Sequence, residues 1–373
     1  MTCLRRWLAV LAGIAVLVSL PAAVGALPVT ASAVSAAELL GRVQRSAPVG
    51  YSGYAESTGG LALPVTSQFS ALSDLFGGQA QLRVWWRSAT DWRLDSIDLA
   101  GETDVHNGDL GYWSWNYEAN SATFVQQPTT PEIRLPTDAD LLPPELGRRL
   151  LSEATAAEAS RIGAARVAGI SAPGLRIRPA DPVSTIDHID VWADQSTGLP
   201  LRVAVYGKSG GPAVSSSFLD VSIATPAPAS TAFSIPAKAT LHTSLSQDLA
   251  TTIDQLGGSA PPTQLAGIAR NALLPAVGSV GVYGRGVSEF VVVPLPRRVA
   301  FSLRRQLAPA VAAAGGSAPT SSAPSDLVLS VGPLNLLLSS FDNPSGPWLL
   351  IGTVTGDTLA KAAGELPAQT GTR

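Results

Sequence analysis

Alternation with a period of two, over about residues 79–126, constrains the fold of this chain more than any other sequence feature. One face of the stretch 82–87 is apolar, and the other carries two arginines and Trp85. The apolar positions are Leu82, Val84 and Trp86. Trp92 and Leu94 repeat the pattern in the next segment. This spacing is typical of strands with one buried face, so it predicts a sheet.

The same region holds five of the eight tryptophans of the chain. Asn107-Gly108 is a two-residue turn signal and predicts a hairpin, behind which Trp113 and Trp115 alternate with small polar residues. The tryptophans fit an aromatic core, or a concave apolar face that takes a lipid or an apolar segment of a partner. The candidate ligand-binding residues of such a face are Leu82, Val84, Trp86, Trp92, Trp113 and Trp115.

The first residues have the layout of an export signal. Arg5 and Arg6 precede an apolar run, Pro21 interrupts that run, and small-residue cleavage patterns follow. Residues 1–33 are therefore predicted to be a signal peptide. The alternative is an uncleaved anchor over 7–29, which is long enough to span a bilayer. Either interpretation places the rest of the chain outside the cytoplasm, secreted or membrane-anchored.

Charge and cysteine content exclude several classes of protein. The 373 residues carry 25 basic and 28 acidic side chains, a formal net charge of −3, which argues against a nucleic-acid partner. The one cysteine, Cys3, lies before the apolar run, so an internal disulfide, a cysteine-based metal cluster and a lipoprotein cysteine are excluded. With 46% hydrophobic residues the exported chain can be stabilised by its core alone.

We predict two domains, 37–236 and a smaller one over 237–366, with a loop over 315–325. The first begins with a short helix that Ser35 and Glu38 cap, and Pro143-Pro144-Glu145 opens a second helix through about Arg161. Further strands lead to a closing strand, Phe233–Pro236. In the smaller domain, helices are predicted over 245–256, 297–314 and 358–366, and strands over 280–283, 289–293, 327–331, 334–340 and 348–354. The fold class is α+β.

Motifs that carry chemistry are weak. Gly207-Lys208-Ser209-Gly210-Gly211 fits the G-x-S-x-G pattern, but a strand is predicted after it where a nucleophile elbow needs a helix. Gly281–Gly286 is glycine-rich without the spacing of a nucleotide-binding loop, and we interpret it as a turn between strands. His188 and Asp190 offer two ligands on one strand face, which do not make a metal site. We therefore predict no catalytic residue, metal or cofactor.

One predicted helix concentrates positive charge. Arg297, Arg298, Arg304 and Arg305 form two pairs seven residues apart, so they return to the same helical face. A solvated helix face explains this arrangement, and so does a docking surface for an acidic partner segment or for anionic lipid headgroups.

Four stretches of 37–236 resemble the LolA/LppX-like fold, and specifically the amino-terminal domain of the MucB/RseB group. They are Tyr51–Ala55, His106–Trp113, Val191–Arg202 with its Gly198-Leu199-Pro200 turn, and Phe233–Pro236. In the smaller domain, Tyr283–Phe290 and Gly346–Gly352 are similar to segments of the RseB carboxy-terminal domain. Gly77-Gly78 and the loop near Gly315 have no counterpart in the family pattern.

The resemblance implies an antiparallel half-barrel sheet wrapped over helices, with a smaller α+β domain behind it. It also implies binding rather than catalysis. The expected ligand is a lipid or the acyl chain of a lipoprotein, and the expected partner is an anti-sigma factor or another membrane protein. The protein is then an envelope-stress regulator of the RseB type or a carrier of the LolA type. A secreted serine hydrolase using Ser209 and a structural surface protein without a ligand are the alternatives.

Overall fold

The computed structural model describes residue 7 and residues 32–61, 76–98, 101–126, 136–245, 261–271, 280–314, 325–341 and 346–367. Most of the predicted leader 1–33, nearly all of the loop 315–325 and the predicted helix over 245–256, except Leu245, lie outside these residues. In the part of the chain that is described, no helix is long and apolar enough to cross a membrane.

The larger sheet is open and contains twelve strands in the described part of the chain. In chain order these are β1 (Tyr51–Gly59), β2 (Gln79–Ser88), β3 (Asp91–Ile97), β4 (Glu102–Gly108), β5 (Gly111–Asn116), β6 (Ser121–Gln126), β7 (Ala159–Val167), β8 (Ile170–Ile177), β9 (Ile186–Ala193), β10 (Pro200–Gly207), β11 (Pro212–Ser222) and β12 (Thr240–Leu245). Across the sheet they lie in the order β12-β6-β5-β4-β3-β2-β1-β11-β10-β9-β8-β7. Neighbouring strands are antiparallel, except that β12 runs parallel to β6.

Helix α1 (Ala36–Gln44) begins as predicted, since the Ser35 side chain accepts a hydrogen bond from the backbone N–H of Glu38. Helix α2 (Pro143–Leu151) starts with two prolines. Both helices lie on one face of the sheet, where Leu39, Leu40 and Val43 join a core with the strands β8–β10. A short 3-10 turn, Asp138–Leu141, precedes α2 and covers the same face.

Two element boundaries differ from the sequence predictions. Helix α2 ends at Leu151 rather than near Arg161, because the Glu158 carboxylate accepts hydrogen bonds from the backbone N–H and hydroxyl of Thr155, both at 2.8 Å. Such local bonds compete with helical ones. The hairpin at Asn107-Gly108 exists, but both residues belong to β4 and the loop is Asp109-Leu110.

A third difference concerns Phe233–Pro236, which forms no strand. Instead, the Phe233 ring covers the sheet, with its centroid 4.9 Å from that of His106 and 5.3 Å from that of Trp113. Leu245, the first residue of the helix predicted over 245–256, lies in β12. Because β12 follows residue 236 and still pairs with the larger sheet, the domain boundary at that residue stays a prediction.

Among the described residues, a second, smaller sheet contains five strands in the order β15-β16-β19-β18-β17. They are β15 (Gly281–Arg285), β16 (Ser288–Pro294), β17 (Leu327–Val331), β18 (Leu334–Leu338) and β19 (Trp348–Gly352), after a hairpin of β13 (Gln264–Leu265) and β14 (Ile268–Ala269). Helices α3 (Arg297–Ala314) and α4 (Gly356–Gly364) pack against this sheet, close to their predicted positions.

Backbone hydrogen bonds join the smaller sheet to the larger one. The N–H of Thr185 donates to the carbonyl of Thr353 over 3.0 Å, and the N–H of Thr355 donates to the carbonyl of Val183 over 2.9 Å. The Thr185 hydroxyl also donates to the carbonyl of Pro333 over 2.5 Å. The start of β9 is therefore one of the places at which the two parts meet.

Candidate binding site

The inner face of the larger sheet, which the helices cover, carries a stack of three aromatic rings. Trp86 lies opposite Tyr51 in β1 and opposite Trp92 in β3, so all three side chains share this face. The Trp86 ring centroid is 5.8 Å from that of Tyr51 and 5.5 Å from that of Trp92, and both pairs are nearly parallel. Phe218 meets Tyr51 edge-on at 5.7 Å.

In the described part of the chain, side chains of the protein itself cover this face. Leu82 and Val84 are fully buried, and Trp86 is only 4% exposed. Leu141 of the 3-10 turn and Leu142, which follows it, belong to the same core. The Ser216 hydroxyl on β11 fixes this turn by donating to the carbonyl of Leu141 over 2.5 Å. A ligand that reaches Trp86 therefore has to displace the 3-10 turn.

Two buried donors on the stack lack partners. Neither the Tyr51 hydroxyl nor the Trp86 Nε1–H has a hydrogen-bond partner among the described residues. Burial raises the pKa of Tyr51 well above its ordinary value, and the nearby Glu145 carboxylate raises it further, so the hydroxyl keeps its proton. A buried donor without an acceptor is costly, and a polar ligand atom would remove that cost.

The six predicted ligand-binding residues do not lie together. Leu82, Val84, Trp86 and Trp92 share the inner face, but Trp113 and Trp115 lie on the outer one. Trp113 pairs across the strands with His106, and Trp115 pairs with Asp104. The prediction was wrong on this point, because alternation within a strand does not reveal which of its faces continues the core face of the next strand.

The outer face holds a buried charge cluster that the sequence analysis missed. The Arg93 guanidinium donates to both Asp95 oxygens, at 2.6 and 3.0 Å, and to Asp104 at 2.9 Å. It also lies 4.9 Å from the centroid of the Trp85 ring. The Tyr117 hydroxyl donates to Asp104 over 3.3 Å. The signal was present in the sequence as polar residues at alternate positions of two neighbouring strands.

Burial, and then repulsion between carboxylates, set the electrostatics of this cluster. Burial and the Asp95 carboxylate raise the pKa of Asp104 to about 6, although Arg93 acts in the opposite direction. Carboxylate oxygens of Asp95, Glu102 and Asp104 lie within 4.8 Å of one another. Since Arg93 already bonds two of these groups, the arrangement is an ion-pair network with an excess of negative charge.

A cavity of about 310 Å³ lies elsewhere, where the two sheets meet. It is bounded by the end of α2, the segment after β8 and the turn between β15 and β16. Its lining combines apolar side chains, such as Leu150 and Ile177, with Glu153, Glu158 and Arg285. Arg285 reaches Glu158 at 3.8 Å. None of the six predicted ligand-binding residues lines this cavity.

The four arginines of α3 separate into two kinds. Arg297, Arg298 and Arg305 are exposed. Arg304 is half-buried, and its guanidinium donates to the carbonyl of Ser325 over 2.5 Å. The three exposed arginines can share one face without Arg304, and their role in docking stays a prediction.

The weak motifs take the structures predicted for them. Ser209 lies in the loop of a hairpin between β10 and β11, so the strand–turn–helix context of a nucleophile elbow is missing there. Gly286 lies in the turn between β15 and β16, and Gly284 lies in β15 just before it, both with positive φ. The Asp190 carboxylate accepts two hydrogen bonds from Arg176, both at 2.6 Å, and His188 bonds Asp187 at 2.6 Å.

Residues 122–236 match the family model of the MucB/RseB N-terminal domain. The fold of this segment is MucB/RseB-like. The predicted resemblance and the α+β class with a large antiparallel sheet are thereby confirmed, and the matched segment runs from β6 through Phe233–Pro236. Strands β1–β5, including the aromatic stack, precede the matched MucB/RseB segment.

The solved structures to which the chain is similar share little sequence with it. MucB of Pseudomonas aeruginosa, solved in a complex with MucA, is 16% identical with a TM-score of 0.47, over 88% of this chain and 96% of that chain. An uncharacterised conserved protein of Thermus thermophilus is 11% identical with a TM-score of 0.34, over 56% and 98%. A LolA superfamily protein of Nitrosomonas europaea is 11% identical with a TM-score of 0.23, over 54% and 99%. No curated protein sequence matches the chain.

Proposed function

We propose that this protein is a non-catalytic binding protein that acts outside the cytoplasm and regulates an anti-sigma factor held in the membrane. The observation that carries the proposal is the match of residues 122–236 to the MucB/RseB N-terminal domain. Export is supported by Arg5 and Arg6 before the apolar run of the leader. The hairpin context of Ser209 favours binding over the hydrolase alternative.

Deletion of the gene in the producing bacterium tests this function. We expect the regulon of one extracytoplasmic sigma factor to change its expression, because loss of the regulator alters how long the anti-sigma factor survives. Transcript levels measure the effect, and the full-length chain should capture that anti-sigma factor from solubilised envelopes. Transcripts that stay unchanged under envelope stress would contradict the proposal and favour a carrier or a structural surface protein.

A second candidate function is binding of a lipid or a lipoprotein acyl chain on the inner face, as in a LolA-type carrier. The observation that favours it is the pair of unpartnered donors, the Tyr51 hydroxyl and the Trp86 Nε1–H. The carbonyl or carboxylate of an acyl ligand could accept from both. Its chain would then lie along Leu82, Val84 and Trp92 after the 3-10 turn is displaced.

A dansyl-labelled fatty acid tests this candidate. We expect the full-length chain to increase the fluorescence of the probe, and Trp86→Phe to weaken binding by about two- to tenfold because one donor is lost. Trp113→Phe is the matched control, since Trp113 lies on the outer face and should leave binding unchanged. Absence of uptake, or equal effects of the two variants, counts against an acyl site on this face.

A further inference from the structure

Helix α3 presents a mixed basic and aromatic stripe to solvent. Arg297, Phe301 and Arg305 follow one another at intervals of four residues, so they line one face over about 12 Å. Arg298 lies beside them. The Phe301 ring is 58% exposed, and the opposite side of the helix is buried through Ala300, Leu303 and Leu307.

The charge of this stripe is uncompensated within the helix. No acidic residue occurs between Arg297 and Ala314. Arg304, the fourth arginine, points toward Ser325 and is not part of the stripe. The face continues toward the end of the helix with Ala308 and Ala312, both small and exposed. The stripe is therefore a convex surface with three positive charges around one large apolar ring.

We propose that this stripe docks the protein on a membrane surface rich in anionic lipid headgroups. Each basic side chain gains free energy near an anionic surface, and an aromatic ring among them can enter the boundary between headgroups and acyl chains. Exposure of Phe301 to water is unfavourable, and docking relieves it. The predicted leader, with its apolar segment 7–29, would bring the chain to a membrane during export, so such a surface would be available at high effective concentration. This docking does not depend on the anti-sigma factor.

A fluorophore at position 301 tests the docking in the full-length chain. Phe301→Cys, made together with Cys3→Ser, is labelled with bimane and mixed with vesicles of phosphatidylcholine alone or with 30% phosphatidylglycerol. We expect a blue shift with the anionic vesicles only. The label at Leu110→Cys is the control, because Leu110 is 80% exposed at a hairpin tip far along the sequence and should not shift.

Charge reversal distinguishes this docking from general electrostatic attraction. A triple variant should bind the anionic vesicles at least about a hundredfold more weakly. Its substitutions are Arg297→Glu, Arg298→Glu and Arg305→Glu. The control is a second triple variant with the same change of net charge at exposed sites outside the stripe, and its binding to the vesicles should change little. Its substitutions are Arg45→Glu, Arg178→Glu and Lys208→Glu. Equal losses in both triple variants would overturn the proposal. The proposal would also be overturned if poly-glutamate, but not the anionic vesicles, produced the blue shift. The stripe would then be a binding surface for an acidic polypeptide.

Discussion

Arg93→Ala is expected to destabilise the protein by about 3–5 kcal/mol at pH 7, because two buried carboxylates then lose their shared counter-ion. In the folded protein Arg93 bonds both Asp95 and Asp104, and the Asp95 carboxylate is fully shielded from water. The Asp104 carboxylate is nearly as well shielded, so neither group is hydrated freely once the guanidinium is gone. Urea unfolding of the variant and the wild type measures the difference.

Arg83→Ala is the matched control. Its guanidinium lies 4.0 Å from the same Asp95 carboxylate, but its side chain is half-exposed. Because exposed ion pairs contribute about 0–1 kcal/mol, this variant should unfold close to the wild type. Equal losses at Arg83 and Arg93 would show that the total charge of the face matters, rather than the buried bonds of one arginine.

The difference in unfolding free energy between Arg93→Ala and the wild type should become smaller as the pH falls from 7 toward 4. The folded pKa of Asp104 is already raised to about 6, above its ordinary value, and removal of Arg93 takes away a charge that lowers it. The ionised Asp104 carboxylate is disfavoured in the folded variant, so this penalty is present above its folded pKa and is lost as protonation neutralises the group. A loss that stays constant over this range would contradict the electrostatic cause.

Elements of the fold with strong local patterns were predictable from the sequence. The face shared by Leu82, Val84 and Trp86 is buried as expected, and the start of α1 at Ser35 follows from its capping residues. Strands β15–β19 and helices α3 and α4 lie close to their predicted ranges. In each case the periodicity of a single segment determines the element.

The candidate sites were less predictable, because they depend on how segments pair. The strands that carry Trp86 and Trp113 show the same alternation, yet cross-strand register places these rings on opposite faces. The charge cluster around Arg93 forms only when β3 and β4 align Asp95 with Asp104. The cavity between α2 and the β15–β16 turn joins residues more than 100 positions apart, and no local pattern indicates it.

Gly198→Val is expected to lower the free energy of unfolding by about 3–5 kcal/mol, because it adds backbone strain and a steric clash. Gly198 lies in the turn between β9 and β10 with φ of 74°, which a β-branched residue rarely adopts. A Cβ there would lie 2.4 Å from the backbone carbonyl of Arg42 in α1. The same turn is rigid, because one oxygen of Asp194 accepts from the backbone N–H groups of both Ser196 and Thr197.

Helix α1 cannot move away from this clash without losing its own contacts. Arg42 donates a hydrogen bond to the carbonyl of Gln195 in the turn, and Leu39 and Val43 are fully buried. We therefore expect hydrogen-exchange protection of residues 36–44 to fall in Gly198→Val, together with the free energy of unfolding. A loss of stability that leaves α1 fully protected would mean that the strain stays within the turn.

Gly210→Val separates the two causes. Gly210 lies in the next hairpin, between β10 and β11, with a similar φ of 84°, but a Cβ there would meet no atom within 4 Å. It should therefore carry the backbone strain alone, and Gly198→Val should be about 2–3 kcal/mol less stable than Gly210→Val. Both free energies come from the same urea titration. If the two variants unfold alike, positive φ accounts for the whole effect, and contact with α1 does not explain why the turn requires glycine.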